Sequence, residues 1–120
     1  LAVNKVAVPE AVRTAKLDPV KVETKKLADH VWLLGGGPMN SVLVEFKDFV
    51  AVVEAPQNEA RSLAVIDEVH KLVPGKMIRY VVNTHHHIDH SSGLRTFVAE
   101  GATAAVGSRS RPTAWPREKA

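Results

Sequence analysis

Apolar and polar residues begin to follow a regular pattern near residue 27, and the first segments of this pattern predict β-strands. Residues 27–34 include an apolar run that predicts a first strand, which a run of glycines ends. Residues 41–46 alternate between two faces, as a half-buried strand does. Residues 49–53 are almost all apolar, which is typical of a strand buried on both faces. The last two runs, separated by a short polar turn, predict a β-hairpin.

A helical spacing replaces the alternation after Pro56. Asn58 is a residue type that caps helix N-termini, and from Glu59 apolar residues recur every three or four positions until a Pro-Gly pair ends the pattern. The remaining segments predict a strand over 78–82, a second helix over 93–100 and a last strand over 102–106. Helices that alternate with apolar strands in this way predict an α/β fold.

The patterned region is flanked by two segments with weak periodicity. Residues 1–26 are polar and basic and contain two prolines, so we expect an N-terminal arm. Residues 27–106 then form one domain, and residues 107–120 form an irregular C-terminal tail. A chain of 120 residues suits one small domain with its own core.

Charge and composition narrow the function classes. The net charge of +3 is mild and only the tail is locally basic, so no nucleic acid partner is expected. No apolar stretch is long enough to span a membrane and no signal peptide is visible, so we expect a soluble protein whose compartment is unknown. The chain has no cysteine, which excludes disulfides and thiolate metal ligands. Any metal must therefore be held by His, Asp or Glu.

Potential metal-binding side chains are most concentrated in residues 85–90, which hold four of the six histidines and one aspartate. Imidazole and carboxylate are ligands that zinc prefers. The cluster follows a predicted strand and precedes a predicted helix, where ligands gather in α/β sheets. On a turning backbone these side chains can converge, whereas on a regular helix they would diverge. We predict a zinc site whose ligands are His85, His87, Asp89 and His90.

The spacing of these ligands, with Thr84 before them and Gly93 after them, resembles the zinc-binding signature of the metallo-β-lactamase superfamily. The resemblance covers roughly residues 27–106. It implies that the fold is half of an αβ/βα sandwich, a mixed sheet with two helices. It also implies that His85 and His87 bind a first zinc, and that Asp89 and His90 bind a second. His86 stands at a variable position of the signature and is expected to be a non-ligand.

The function that the resemblance implies is zinc-dependent hydrolysis of a small-molecule substrate. Metal-bound hydroxide would attack an ester, lactam, thioester or phosphoester, and Asp89 would be the catalytic residue that orients the nucleophile. Glu54 stands where most members of the family have an aspartate. We expect Glu54 to accept a hydrogen bond from a metal-binding histidine, and Thr84 to support the ligands beside it.

The resemblance also shows which ligands are lacking. The later half of the family's fold supplies further metal ligands, but no histidine or aspartate follows His90 in this chain. We therefore expect a truncated form whose site, for one or two Zn²⁺, is incomplete within the chain. The alternative is a non-catalytic zinc-binding fragment that forms a homodimer and so completes the sandwich.

Overall fold

The computed structural model describes residues 7–16 and 18–106, and these residues form a six-stranded mixed sheet with helices. The strands are Glu23–Ala28 (β1), Val31–Gly35 (β2), Ser41–Glu45 (β3), Val50–Val53 (β4), Ile78–Asn83 (β5) and Thr103–Val106 (β6). The helices are Glu10–Arg13 (α1), Glu59–Leu72 (α2), Ile88–Ser91 (α3) and Leu94–Ala99 (α4). Within the described ranges, no helix has the length and apolarity needed to cross a lipid bilayer. The predicted α/β class is confirmed.

The strands lie in the sheet in their order along the chain, from β1 to β6. The first four form an antiparallel meander, whereas β4, β5 and β6 run parallel to one another. Each parallel connection crosses over through a helix, α2 between β4 and β5 and α4 between β5 and β6. Because β4 and β5 are parallel neighbours, the segments that follow them meet at one edge of the sheet.

The core fills the space between one face of the sheet, called here the inner face, and the two longer helices. The helices contribute mainly Val65, Val69 and Phe97 to this core, and all three side chains are fully buried. Asn58 caps α2 as predicted, since its side-chain oxygen accepts a hydrogen bond from the backbone N–H of Arg61 at 2.9 Å. Leu63 shares the three- to four-residue apolar spacing that predicted this helix, but it is exposed on the solvent side of α2.

The sheet begins at Glu23, inside the segment that was predicted to be an arm. All six residues of β1 are exposed, so the strand lacks the apolar alternation that reveals strands in a sequence. Its backbone is instead held by antiparallel pairing with β2, and its lysines suit an edge strand. Residues 1–6 and 17 of the predicted arm, and the whole predicted tail of residues 107–120, lie outside the described residues.

Arg61, in the first turn of α2, is buried and joins three parts of the chain. Its guanidinium donates hydrogen bonds to the carbonyl oxygens of Lys21 and Gly35, each at 2.5 Å. Burial lowers the pKa of Arg61 from its ordinary value, because the charged form loses hydration. The side chain thus fixes the end of β2 and the residues before β1 against the start of α2.

Glu45 contacts two basic side chains. It lies at the end of the sheet where β4 and β5 begin, opposite the end where their carboxyl termini meet. Lys76 Nζ donates to Glu45 Oε1 at 2.5 Å, and His30 Nδ1 lies 2.9 Å from Glu45 Oε2. The hydrogen bond from Lys76, followed by that from His30, lowers the pKa of Glu45. A carboxylate whose pKa is lower in the folded than in the unfolded chain stabilises the fold above the unfolded pKa. That stabilisation disappears as pH falls through the folded pKa.

We therefore expect Glu45→Gln to lower the free energy of unfolding at pH 7, and the difference from the unmodified chain to shrink as the pH falls below about 4.5. Urea unfolding of both proteins between pH 7 and pH 3 measures this. A difference that stays constant over that range would show that Glu45 contributes through packing and not through its charge.

Candidate metal centre

The candidate metal centre lies at the edge of the sheet where β4 and β5 end. Glu54 directly follows β4, and Thr84 directly follows β5. The two strands are hydrogen-bonded neighbours in parallel orientation, so their carboxyl ends place both residues side by side. The histidine-rich loop continues from Thr84 into the short helix α3. The predicted convergence of this loop at a sheet edge thus has a direct cause in the topology.

The carboxylate of Glu54 is the centre of a hydrogen-bond network. Its Oε1 accepts the backbone N–H of Thr84 at 3.0 Å. Its Oε2 accepts the Asn83 side-chain amide at 3.2 Å and lies 3.2 Å from Nδ1 of His90. Glu54 is buried, and its backbone adopts φ = 72°, in the left-handed region that non-glycine residues rarely occupy. The surrounding contacts hold this conformation, as they do for strained residues at functional sites.

Backbone hydrogen bonds lock the segment after β4 to the histidine loop. The N–H of Ala55 donates to the carbonyl of His90 at 3.2 Å, and the N–H of Gln57 donates to the carbonyl of Asp89 at 2.9 Å. The N–H of Gly93 in turn donates to the carbonyl of Ala55 at 3.1 Å. These bonds satisfy polar groups of two irregular segments and fix the loop relative to Glu54.

Three imidazole rings converge in this loop, with His85 between the other two. The centroid of its ring is 4.2 Å from that of His90 and 4.6 Å from that of His87. The hydroxyl of Thr84 lies 2.8 Å from Nδ1 of His85, which leaves Nε2 of His85 available to a ligand. Thr84 therefore lies next to a predicted metal ligand, where it can fix the orientation of that ring.

The donor atoms closest to one another belong to Glu54, His85 and His90, and they lie within 4.8 Å of one another. Ligand atoms on a tetrahedral zinc are separated by about 3.4 Å, given bond lengths of about 2.1 Å. The donor separations here reach 4.8 Å, so the three groups are near that spacing but not at it. Two imidazoles suit zinc as ligands, and the carboxylate of Glu54 beside Nδ1 of His90 suits an acceptor that orients that ring. The residues at this edge therefore fit a zinc ion.

The other predicted site residues lie at the rim of this group. His87 precedes α3 and is exposed. The side chain of Asp89 is 54% exposed, and its Oδ2 is 3.7 Å from Nε2 of His90. His86, predicted to be a non-ligand, is exposed, and its ring centroid is 5.2 Å from that of His87. The structure thus places two of the four predicted ligands, His85 and His90, in the closest set together with Glu54 and leaves His87 and Asp89 at its rim.

Asn83 is a member of the site that the sequence patterns did not reveal. It is buried at the end of β5, and its side-chain amide donates to the carbonyl of His90 at 2.9 Å as well as to Glu54. The one signal in the sequence was a polar residue directly after an apolar strand. That signal also fits a residue in a solvent-exposed turn, so it does not identify a buried amide.

Comparison with known proteins places this geometry in a family. Residues 34–120 match the model of the metallo-beta-lactamase superfamily. The fold is similar to the metallo-β-lactamase FIM-1 from Pseudomonas aeruginosa in its mono-zinc form, with a TM-score of 0.66 and 25% identity over 78% of this chain and 45% of that one. No curated protein sequence matches the chain significantly.

Two further solved structures have the same fold. The metallo-β-lactamase from Hirschia baltica has a TM-score of 0.60 and 26% identity, over 71% of this chain and 42% of that one. The enzyme from Pontibacter korlensis has a TM-score of 0.64 and 16% identity, over 72% of this chain and 43% of that one. The chain thus spans less than half the length of each of these structures. Since the family model matches well over half of its residues, the chain belongs to the metallo-beta-lactamase superfamily.

Proposed function

We propose that this chain is the metal-binding half of a zinc-dependent hydrolase. The observation that carries the proposal is the convergence of donor atoms from Glu54, His85 and His90 within 4.8 Å at the carboxyl edge of the sheet. Membership of the superfamily supports it, and the similar Pseudomonas protein was crystallised in a mono-zinc form. The number of zinc ions is one or two.

Some residues of the site bind the metal, and others position the residues that bind it. His85 and His90 hold the metal, with His87 close enough at the rim to join them. Glu54 fixes the ring of His90 through Nδ1, so that Nε2 of His90 faces the exposed side of the loop, where Asp89 lies. When bound, zinc supplies a Lewis acid and a nucleophile from water near neutral pH. Asp89, with an exposed carboxylate, orients that nucleophile and accepts its proton.

The substrate that we propose is a small molecule with an electrophilic carbonyl or phosphoryl centre: an ester, a lactam, a thioester or a phosphoester. These groups share a bond that a zinc-activated nucleophile can attack. The site is open on the side of His87 and Asp89, both of which are exposed. A substrate would approach from that side.

A second candidate is a zinc-binding half domain that does not turn over substrate. It is favoured by the hydrogen bonds of Glu54 to Thr84, Asn83 and His90, which leave two imidazoles as the free donors of the closest set, whereas a hydrolytic zinc site commonly has three protein ligands and an open position. Zinc binding is common to both candidates. They differ in whether the bound ion reacts.

The experiment that tests the proposal is elemental analysis of the zinc-loaded chain after dialysis, followed by a hydrolysis screen over the four substrate classes. We expect at least one retained zinc per chain and turnover that EDTA abolishes and zinc restores. Retained zinc with no turnover in any class would establish the non-catalytic candidate. Loss of all zinc on dialysis would contradict both.

A further inference from the structure

Asn83 is the last residue of β5, and its side chain points to the inner face of the sheet. Val81, two positions earlier, belongs to the core beneath the helices, and residues two apart in a strand share a face. Asn83 is only 1% exposed. An amide buried in this way needs hydrogen-bond partners for its donors. The partners that it has belong to the candidate metal centre.

The parallel pairing of β4 and β5 places Asn83 beside Glu54. Val53 is paired with Val82, so the next residues of the two strands lie side by side. The backbone N–H of Glu54 donates to the carbonyl of Val82 at 2.7 Å, which extends the pairing by one residue beyond β4. Nδ2 of Asn83 then lies 3.2 Å from Oε2 of Glu54. The register of the sheet therefore creates this contact.

Asn83 is connected to His90 in two ways. One N–H of its amide donates to Oε2 of Glu54, the oxygen that lies 3.2 Å from Nδ1 of His90. The other N–H donates to the backbone carbonyl of His90 at 2.9 Å. Turning the amide by 180° would direct its oxygen at both acceptors, so the acceptors select the observed orientation. The ring and the backbone of His90 thus share one amide as a partner.

The carboxylate of Glu54 depends on its donors for a fixed position. A glutamate side chain rotates about three bonds and loses much of that freedom when it is held in one place. Oε1 is held by the backbone N–H of Thr84 at 3.0 Å. Oε2 is held by Asn83, and it is this oxygen that faces the ring of His90. Loss of the Asn83 amide therefore releases the oxygen that orients the ring.

We propose that Asn83 is a positioning residue of the metal centre. It holds the carboxylate of Glu54 against Nδ1 of His90, so that the ring proton stays on Nδ1 and Nε2 is available to the ion. This inference rests on the zinc binding proposed above for the same site. Asn83 itself contacts neither the ion nor the substrate, and its influence on the ion passes through Glu54.

A double-mutant cycle on the full chain, with zinc titrated against a chromophoric chelator, tests the proposal. Asn83→Ala should weaken zinc binding about tenfold or more, as the loss of residues that orient ligands commonly does. In a chain that already carries Glu54→Gln, the same change should weaken binding by less than about threefold, because the carboxylate it acts through is gone. Losses that multiply in the double variant would overturn the proposal, as would an unchanged or tighter affinity of Asn83→Ala.

The matched control is Ser41→Ala. Ser41 is buried, and its hydroxyl donates to the backbone carbonyl of Glu54 at 2.9 Å. This variant therefore removes a buried hydrogen bond to the same residue without touching the carboxylate. It should lower the midpoint of urea unfolding, as Asn83→Ala does, but change the zinc affinity by less than about threefold. Equal losses of affinity in the two variants, both folded by circular dichroism, would show a loosened structure and contradict the positioning role.

A measurement without zinc separates this inference from the proposed function. NMR of the imidazole nitrogens in the metal-free chain identifies the tautomer of His90. We expect the Nδ1–H form in the unmodified chain and in Ser41→Ala, and a mixture of both forms in Asn83→Ala. This result in a chain that retains no zinc would refute the proposed function and still support the positioning of His90 by Asn83. Retained zinc with the same tautomer in all three proteins would refute the positioning role alone.

Discussion

Gly93→Ala should lower the free energy of unfolding by about 3 kcal/mol or more, one of the largest effects of a single methyl group in this chain. A Cβ at position 93 would lie 1.8 Å from Oγ and 3.0 Å from Cβ of Ser62, and 3.1 Å from the carbonyl oxygen of Ala55. Ser62 is fully buried in α2, and Gly93 donates its N–H to that same carbonyl. The loop cannot move away without breaking the bonds that fix it. Urea unfolding at pH 7 measures the loss.

Ser62→Ala supplies the control for this prediction, because it removes the atom that the new methyl group would meet first. Alone it should cost about 1 kcal/mol, through the loss of a weak hydrogen bond to the carbonyl of Pro56. In combination with Gly93→Ala it should recover part of the loss, so that the two changes are not additive. Strict additivity would place the strain at the Ala55 carbonyl instead.

His90→Ala should weaken zinc binding by about 100-fold or more. Loss of a residue that only supports a ligand commonly costs about 10- to 100-fold in metal affinity, and loss of a ligand costs more. His90 belongs to the closest donor set and is anchored through Nδ1 by Glu54. Competition titration of zinc against a chromophoric chelator measures the affinity, with circular dichroism to confirm that the variant is folded.

His86→Ala is the matched control, since it removes an exposed imidazole from the same loop outside the donor set. It should change the affinity by less than about threefold. Glu54→Gln should fall between the two, at about 10- to 100-fold, because it keeps an oxygen for the N–H of Thr84 but loses the negative charge beside His90. Equal losses in His90→Ala and His86→Ala would show that the histidines bind zinc without a defined geometry.

Elements with an apolar period were predictable from the sequence, and elements held by backbone pairing alone were not. The period of α2 and its asparagine cap gave the helix to within a residue of each end. Strand β1 has six exposed residues and leaves no such trace. The one-turn helix α3 was also missed, because four residues cannot establish a period. Its side chains were instead recognised by their chemistry.

The candidate site was predictable in its location and only partly in its internal arrangement. The cluster of histidines beside Asp89 predicted a metal site, and the strand before the cluster indicated that this site lies at the edge of a sheet. The contact between Glu54 and His90 joins two residues that are 36 positions apart in the sequence. Spacing patterns within one segment give no information on such a contact. The buried amide of Asn83 was missed for the same reason. Tertiary contacts, here those of parallel β4 and β5, decide such pairs.

The left-handed backbone at Glu54 carries a local strain that the hydrogen bonds of its side chain offset. At φ = 72° a glycine would be relaxed, whereas a residue with a Cβ costs on the order of 1 kcal/mol or more. Glycine would relieve that strain but would leave the buried donors of Asn83, Thr84 and His90 without their shared acceptor, at a cost of about 1–3 kcal/mol for each unpaired group. Engineering for stability should leave position 54 untouched and act on the helical side of the sheet.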